Sequence, residues 1–129
     1  MMQPEELMAM FVADPLTVTL AEDVVLADYG QARVYHGYVA TRAMLSAYFG
    51  AGWANGRVAY DTMLCNEAVF VLAGVLNGRQ QSPFSGIPTT NRSIALPICI
   101  VCQTNAAYIQ HIALYYDAGT LLRQLGLAQ

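Results

Sequence analysis

The segment Tyr115-Tyr116-Asp117-Ala118-Gly119-Thr120-Leu121-Leu122-Arg123-Gln124-Leu125-Gly126-Leu127, YYDAGTLLRQLGL, joins an aromatic, strand-like run to a very short helix. Asp117 has the chemistry of a helix N-cap, a short carboxylate that accepts from the free backbone N–H groups of the next turn, and Gly126 suits the left-handed residue after a helix. The spacing predicts a helix over Ala118–Leu125. A helix so short is unstable alone in water, so Leu121, Leu122 and Leu125 must dock on a body that is already folded. The tail closes a structure, and the rest of the chain has to supply what it closes.

Composition bounds that structure. The 129 residues suit one domain, 1–129, with one core, and 56% hydrophobic against 12% charged residues is rich for a monomer, so some apolar surface is expected to meet a partner. A net charge of −3, with six Arg scattered and no Lys, offers no basic stripe for nucleic acid. The longest apolar run, AVFVLAGVL over Ala68–Leu76, is far below the roughly 20 residues of a membrane helix, and the opening MMQPEEL lacks a basic signal-peptide end. A cytoplasmic protein without membrane or nucleic-acid partners is the expectation.

Cys99 and Cys102 have CxxC spacing, but they lie in SIALPICIVC, a β-branched run that reads as a strand, where residues three apart point to opposite faces. A zinc site or a redox pair needs converging sulfurs, so buried reduced thiols are the reading and no metal or other cofactor is expected.

Along the chain, Pro4, Glu5 and Glu6 open a helix with Leu7, Met8 and Phe11 as its apolar stripe, and Asp14-Pro15 ends it. A second helical turn is predicted over Leu16–Ala21, a short strand over Val24–Tyr29, and a turn at Tyr35–Gly37 leading into a helix through Phe49, with Ala40, Met44, Ala47 and Tyr48 at helical spacing. GAGWANG, Gly50–Gly56, follows a helix and lacks phosphate-loop glycine spacing, so it reads as a turn. Four strands are predicted over Arg57–Asn66, Ala68–Arg79, Ser93–Gln103 and Tyr108–Tyr116, separated in the later part by SGIPTTNR and TNA. The two central runs are apolar at odd and even positions alike, which implies a sheet covered on both faces. With so few helices, one face is left for a second subunit: a homodimer through the sheet face.

Helices first, then a curved sheet wrapping them, then a closing tail give the fold class: α+β, a cone-shaped mixed or antiparallel sheet around N-terminal helices, with a short C-terminal helix. The stretches AEDVVLADYG (Ala21–Gly30), VYHGYVATRAMLSAYF (Val34–Phe49), SGIPTTNRSIALP (Ser85–Pro97) and the tail resemble the SnoaL-like polyketide cyclases, within the superfamily of nuclear transport factor two and the ketosteroid isomerases. The GIPPT-like turn at Gly86–Thr90 and the LLRQLG ending carry most of the resemblance. It implies an elongated hydrophobic pocket between helices and sheet, commonly a homodimer, and in the cyclases acid–base chemistry on a small apolar organic substrate without metal or nucleotide.

The departures from that family are informative. The resemblance places the cyclase Asp at Leu114 and the usual His and Gln at Ile100 and Ile98, and none of these is polar. Leu26, Met44, Trp53, Ile98, Ile100, Ile112 and Leu114 are then the substrate-binding wall. Family members often place Asn or Asp on the first strand near the pocket floor, and Asp28 falls there, on the same face as Leu26. A carboxylate sunk in an apolar pocket has a raised pKa, which makes a general acid or base near neutral pH; the plainer alternative is an Asp that caps a turn. Tyr48, Trp53 and Tyr116 are expected at the cavity mouth, and Tyr48 and Tyr116 join Asp28 as catalytic candidates because a phenol donates to a substrate carbonyl. His36 at the turn reads as structural, and His111 shares the face of Ala113 and Tyr115, opposite Leu114. Two functions follow: a cyclase or isomerase of a polyketide- or terpenoid-like substrate, or a binding protein that has kept the fold and lost the acid–base set.

Overall fold

A computed structural model describes residues 3–84 and 86–127; Ser85, inside the GIPPT-like stretch, and the outermost residues of the 1–129 domain lie outside it. Helix α1, Pro4–Ala13, starts where Pro4 needs no N–H partner and the Glu6 carboxylate accepts from the Gln3 backbone at 3.4 Å. Leu7 and Phe11, four residues apart, face the core. Strand β1, Leu20–Asp28, and strand β2, Arg33–His36, form a hairpin; α2, Tyr38–Phe49, follows. Strands β3 (Trp53–Cys65), β4 (Val69–Gln80), β5 (Ser93–Asn105) and β6 (Tyr108–Tyr115) complete the sheet, and α3, Ala118–Gln124, ends the described fold.

The sheet order is β2-β1-β6-β5-β4-β3, with every pair antiparallel except β1 with β6. The sheet is therefore mixed, as the α+β cone requires. Pleating turns Phe70, Leu72 and Leu76 of β4 and Ile94, Leu96, Ile98, Ile100 and Cys102 of β5 inward, where they meet Phe11 of α1 and Leu45 and Tyr48 of α2. Register aligns Asp28, Leu114, Ile100 and Leu72 as one row across four strands. Cys99 and Cys102 point to opposite faces, half-buried and buried respectively. No helix among the described residues is long and apolar enough to cross a membrane.

The local assignments differ from expectation in three places. Leu16–Ala21 is not helical: a turn forms at 15–17 and Leu20 already pairs with Ile109. Arg42 of α2 explains the turn, since its guanidinium donates to the carbonyls of Leu16, at 2.7 Å, and Val18, which an additional helical turn would need for itself. Tyr35 and His36, read as part of a turn, belong to β2; its side chains are mostly exposed, so no inward hydrophobic alternation betrayed it. Trp53–Gly56 opens β3 instead of forming a turn, with a register shift between Ala54 and Arg57 that accommodates Asn55 at φ 56°.

Candidate active site at the end of the first strand

Three side chains from separate elements meet under the tail. Asp28 is the last residue of β1, Tyr48 lies on the inward face of α2, and Tyr116 follows β6 immediately before the Asp117 cap. The Tyr48 hydroxyl donates to Asp28 Oδ2, the Tyr116 hydroxyl lies 3.1 Å from the same oxygen, and the two hydroxyls are 2.8 Å apart. The other oxygen, Oδ1, accepts from the Gln31 backbone N–H at 3.0 Å. The turn-capping and the pocket readings of Asp28 are thus both realised, one on each oxygen.

Asp28 is 1% exposed. Burial holds its carboxyl above the ordinary 3.8, against the pull of the Gln31 backbone N–H, the Tyr116 hydroxyl, the Gly30 backbone N–H and the more distant Arg33. Burial, and then the neighbouring Asp28 charge, raises the Tyr116 phenol far above its ordinary value, while a hydrogen bond from the Gln31 side chain opposes the rise. The proton count agrees with these directions. With Asp28 ionised, two phenolic hydrogens must serve three close oxygen contacts; with Asp28 protonated, three hydrogens serve three contacts around the ring.

The neighbours hold this ring rigidly. A Cβ on Gly30 would stand 2.3 Å from Tyr116 Cζ, so only glycine lets the phenol lie flat against that backbone. Phe84 packs edge-on against Tyr48 with centroids 4.9 Å apart and against Trp53 at 5.2 Å. Gln80, fully buried, fixes the segment that carries Phe84: its amide nitrogen donates to the carbonyls of Ser82 and Ile87, and its oxygen accepts from the Thr90 N–H at 3.0 Å and hydroxyl at 2.6 Å.

The expected binding wall is present but closed. Leu26, Ile100, Ile112 and Leu114 are 0% exposed, and Ile98 and Trp53 are 3% exposed, so they pack against one another and the ring with no water-sized gap beside them; Met44 is partly buried against the same core. Tyr48 and Trp53, expected at a mouth, are interior residues, and Tyr116 alone of the three aromatics is half-buried. The Trp53 Nε1–H is buried without a hydrogen-bond partner. His111 is half-buried beside Val25 and Gln103, and His36 is exposed at the end of β2; neither touches the ring. Among the described residues no group of three His, Cys, Asp or Glu is disposed to hold a metal ion.

Gln31, Gln80 and Phe84 were not anticipated. Phe84 had a signal, a lone aromatic in a stretch rich in Ser, Pro and Gly, because a ring in such a loop needs a core to enter. The two glutamines had none, since their partners lie on segments that only the tertiary fold brings near.

No curated protein matches the chain. Solved structures match over nearly its whole length. TsrD from Streptomyces laurentii is 22% identical, with 95% of this chain and 94% of that one covered and a TM-score of 0.76. A protein from Jannaschia sp. CCS1, described as a SnoaL-like polyketide cyclase, is 13% identical, with coverage of 95% and 91% and a TM-score of 0.76. A protein with a ketosteroid isomerase-like fold from Catenulispora acidiphila, solved with trimethylamine, is 17% identical, with coverage of 98% and 95% and a TM-score of 0.75. At such identities the likeness shows the fold, the ketosteroid isomerase-like cone. The family model described as SnoaL-like polyketide cyclase matches residues 9–125, and the chain belongs to that family.

Proposed function

We propose that the protein is a cofactor-independent acid–base catalyst, a cyclase or isomerase of an apolar polyketide- or terpenoid-like molecule, with Asp28 as the proton-transfer group. The observation that carries this reading is the buried ring of Asp28, Tyr48 and Tyr116. A carboxyl raised by burial exchanges a proton with a carbon acid near neutral pH more readily than an exposed one, and the phenols are placed to donate to an oxygen that gains charge. Leu26, Met44, Trp53, Ile98, Ile100, Ile112 and Leu114 supply an apolar surface that packs around the substrate once it enters. Two chains pair through the outer face of the sheet, where Val71, Ala73 and Val75 of β4 lie beside Val101, Cys99 and Pro97 of β5, on the face opposite the buried Phe70, Leu72, Ile98 and Ile100.

A second reading, a binding protein for apolar ligands without turnover, is favoured by one observation: the family's usual polar positions are filled by Leu114, Ile100 and Ile98, packed shut. Hydrogen–deuterium exchange alpha to the carbonyl of an apolar β-diketone, followed by NMR, separates the two. Asp28→Asn is nearly isosteric but holds no exchangeable carboxyl proton, and it should lower catalysed exchange by about 100- to 10,000-fold while the fold is kept. Equal exchange with wild type and Asn variant would leave the binding reading.

A further inference from the structure

A cleft of about 300 Å³ lies between the turn that carries Ile87, the Gln31 side chain and α3, where Ala118, Leu121 and Leu122 form its other wall. Most of its lining is apolar, and Gln31 is its one polar side chain. Gln31 is also the residue that joins the cleft to the ring: its backbone N–H is on Asp28 Oδ1 and its amide is on the Tyr116 hydroxyl. One layer, Gln31 and the Tyr116 ring, therefore separates the cleft from the buried carboxyl. The larger groove beside α2, about 800 Å³ and lined by His36, Val39 and Ala43 among others, includes none of the ring residues and none of the ring's hydrogen-bond partners named above.

We propose that this cleft is the entrance and outer binding site for the substrate, and that Gln31 is a positioning residue that takes the substrate's polar end from water and hands it to the ring. The ligand class follows from the lining: an uncharged, largely apolar molecule carrying at least one carbonyl, because the cleft presents an amide and no charged group. The skeleton lies against Ile87, Leu121 and Leu122. The carbonyl replaces the Tyr116 hydroxyl as the acceptor for the Gln31 amide, which removes one of the hydrogen bonds that hold Tyr116 in place. Entry of this kind suits an interior that is closed at rest.

This inference rests on the acid–base reading of Asp28 for its destination, and its test separates the two. Benzophenone, an uncharged diaryl ketone, is titrated onto the protein and irradiated, and the labelled residues are located by peptide mass spectrometry. Label is expected on Ile87, Leu121 or Leu122. Leu122→Trp and, separately, Ile87→Trp fill the cleft from half-exposed positions and should abolish that label. Gln31→Leu should raise the half-saturating concentration about 2- to 12-fold, the worth of one neutral hydrogen bond, with the label still in the cleft. Label in the groove beside α2, or label in the cleft that neither Trp variant reduces, or no saturable labelling, overturns the entrance. Diketone exchange lost in Asp28→Asn but unaffected by either Trp variant would overturn the entrance and leave the catalytic reading standing. Cleft labelling that the Trp variants abolish, together with exchange insensitive to Asp28→Asn, supports the entrance while sinking the catalytic reading.

Discussion

Asp28 divides its two carboxylate oxygens between two sets of partners. Oδ1 ties down the Gly30–Gln31 turn, while Oδ2 faces the two phenols. Its raised pKa has a sign that can be checked by stability. At pH values between 3.8, the ordinary value, and the higher folded value, the native state holds more protons than the unfolded chain, so stability falls as pH rises through that window. The contribution is fully present below the unfolded pKa and lost above the folded one. Asp28→Asn lacks it, so the melting temperature of the variant relative to wild type should rise as pH increases above 3.8 and level off once pH passes the raised folded value; a constant difference would mean that the carboxyl is not held protonated by the fold. Asp28 became a candidate through the resemblance, which puts an Asn or Asp on the first strand near the pocket floor, and Tyr48 and Tyr116 as phenols expected at the cavity mouth. Their convergence was not legible, because it depends on parallel pairing that puts Asp28 beside Leu114. The same register puts Asp28 directly beside Leu114, the position at which the resemblance places the cyclase Asp.

The short elements at the edge of the site divide into those readable locally and those set by distant partners. The tail helix was readable: Asp117 caps Gly119 at 3.0 Å, Leu121 and Leu125 are buried, and Gly126 takes φ 77°. Its start was also correct, with an end one residue earlier than expected. The Asp117 carboxylate is held below its ordinary 3.8, first by the Thr120 hydroxyl and then by the Gly119 N–H, so its contribution is present above 3.8 and lost as pH falls through the lowered value. Asp117→Ala should therefore lower the melting temperature at neutral pH, with the deficit shrinking to nothing in strong acid. The Gly86–Thr90 turn was recognisable as a motif, but its support was not, because Gln80 reads as an ordinary strand-end residue. Gln80→Leu would leave the half-buried carbonyls of Ser82 and Ile87 and the N–H and hydroxyl of Thr90 without these hydrogen bonds, each worth about 0.5–1.5 kcal/mol. The variant should lose stability of that order and show faster amide exchange at Thr90, whose N–H would have lost its acceptor. Strand β2 escaped the sequence reading for a related reason: an exposed edge strand of four residues carries no inward apolar alternation.

For the whole molecule, the order of helices, sheet and closing tail was enough to indicate the cone, because few folds place two early helices before four long strands and still bury both. The outer face is where the sequence argument reaches beyond one chain. Val71 and Val101 are cross-strand partners there, each half-buried. If that face joins two copies, Val101→Asp should give monomers by sedimentation at micromolar concentration with an unchanged circular dichroism spectrum, and a wild-type protein that sediments as a monomer would remove the proposal. The strand order carries a consequence for how the molecule comes into being. β6 lies between β1 and β5, and its two pairings are what join the β2-β1 hairpin to the β5-β4-β3 meander among the described residues. It is also the last of the six to leave a ribosome. Until then the nascent chain carries two separate half-sheets, each with a hydrophobic open edge, and Asp28 and Tyr116, 88 residues apart, have not met. Such long-range closure is slow compared with helix or hairpin formation. The ring of Asp28, Tyr48 and Tyr116 is thus assembled late, and the interval before it is when this chain most needs shelter from its own kind.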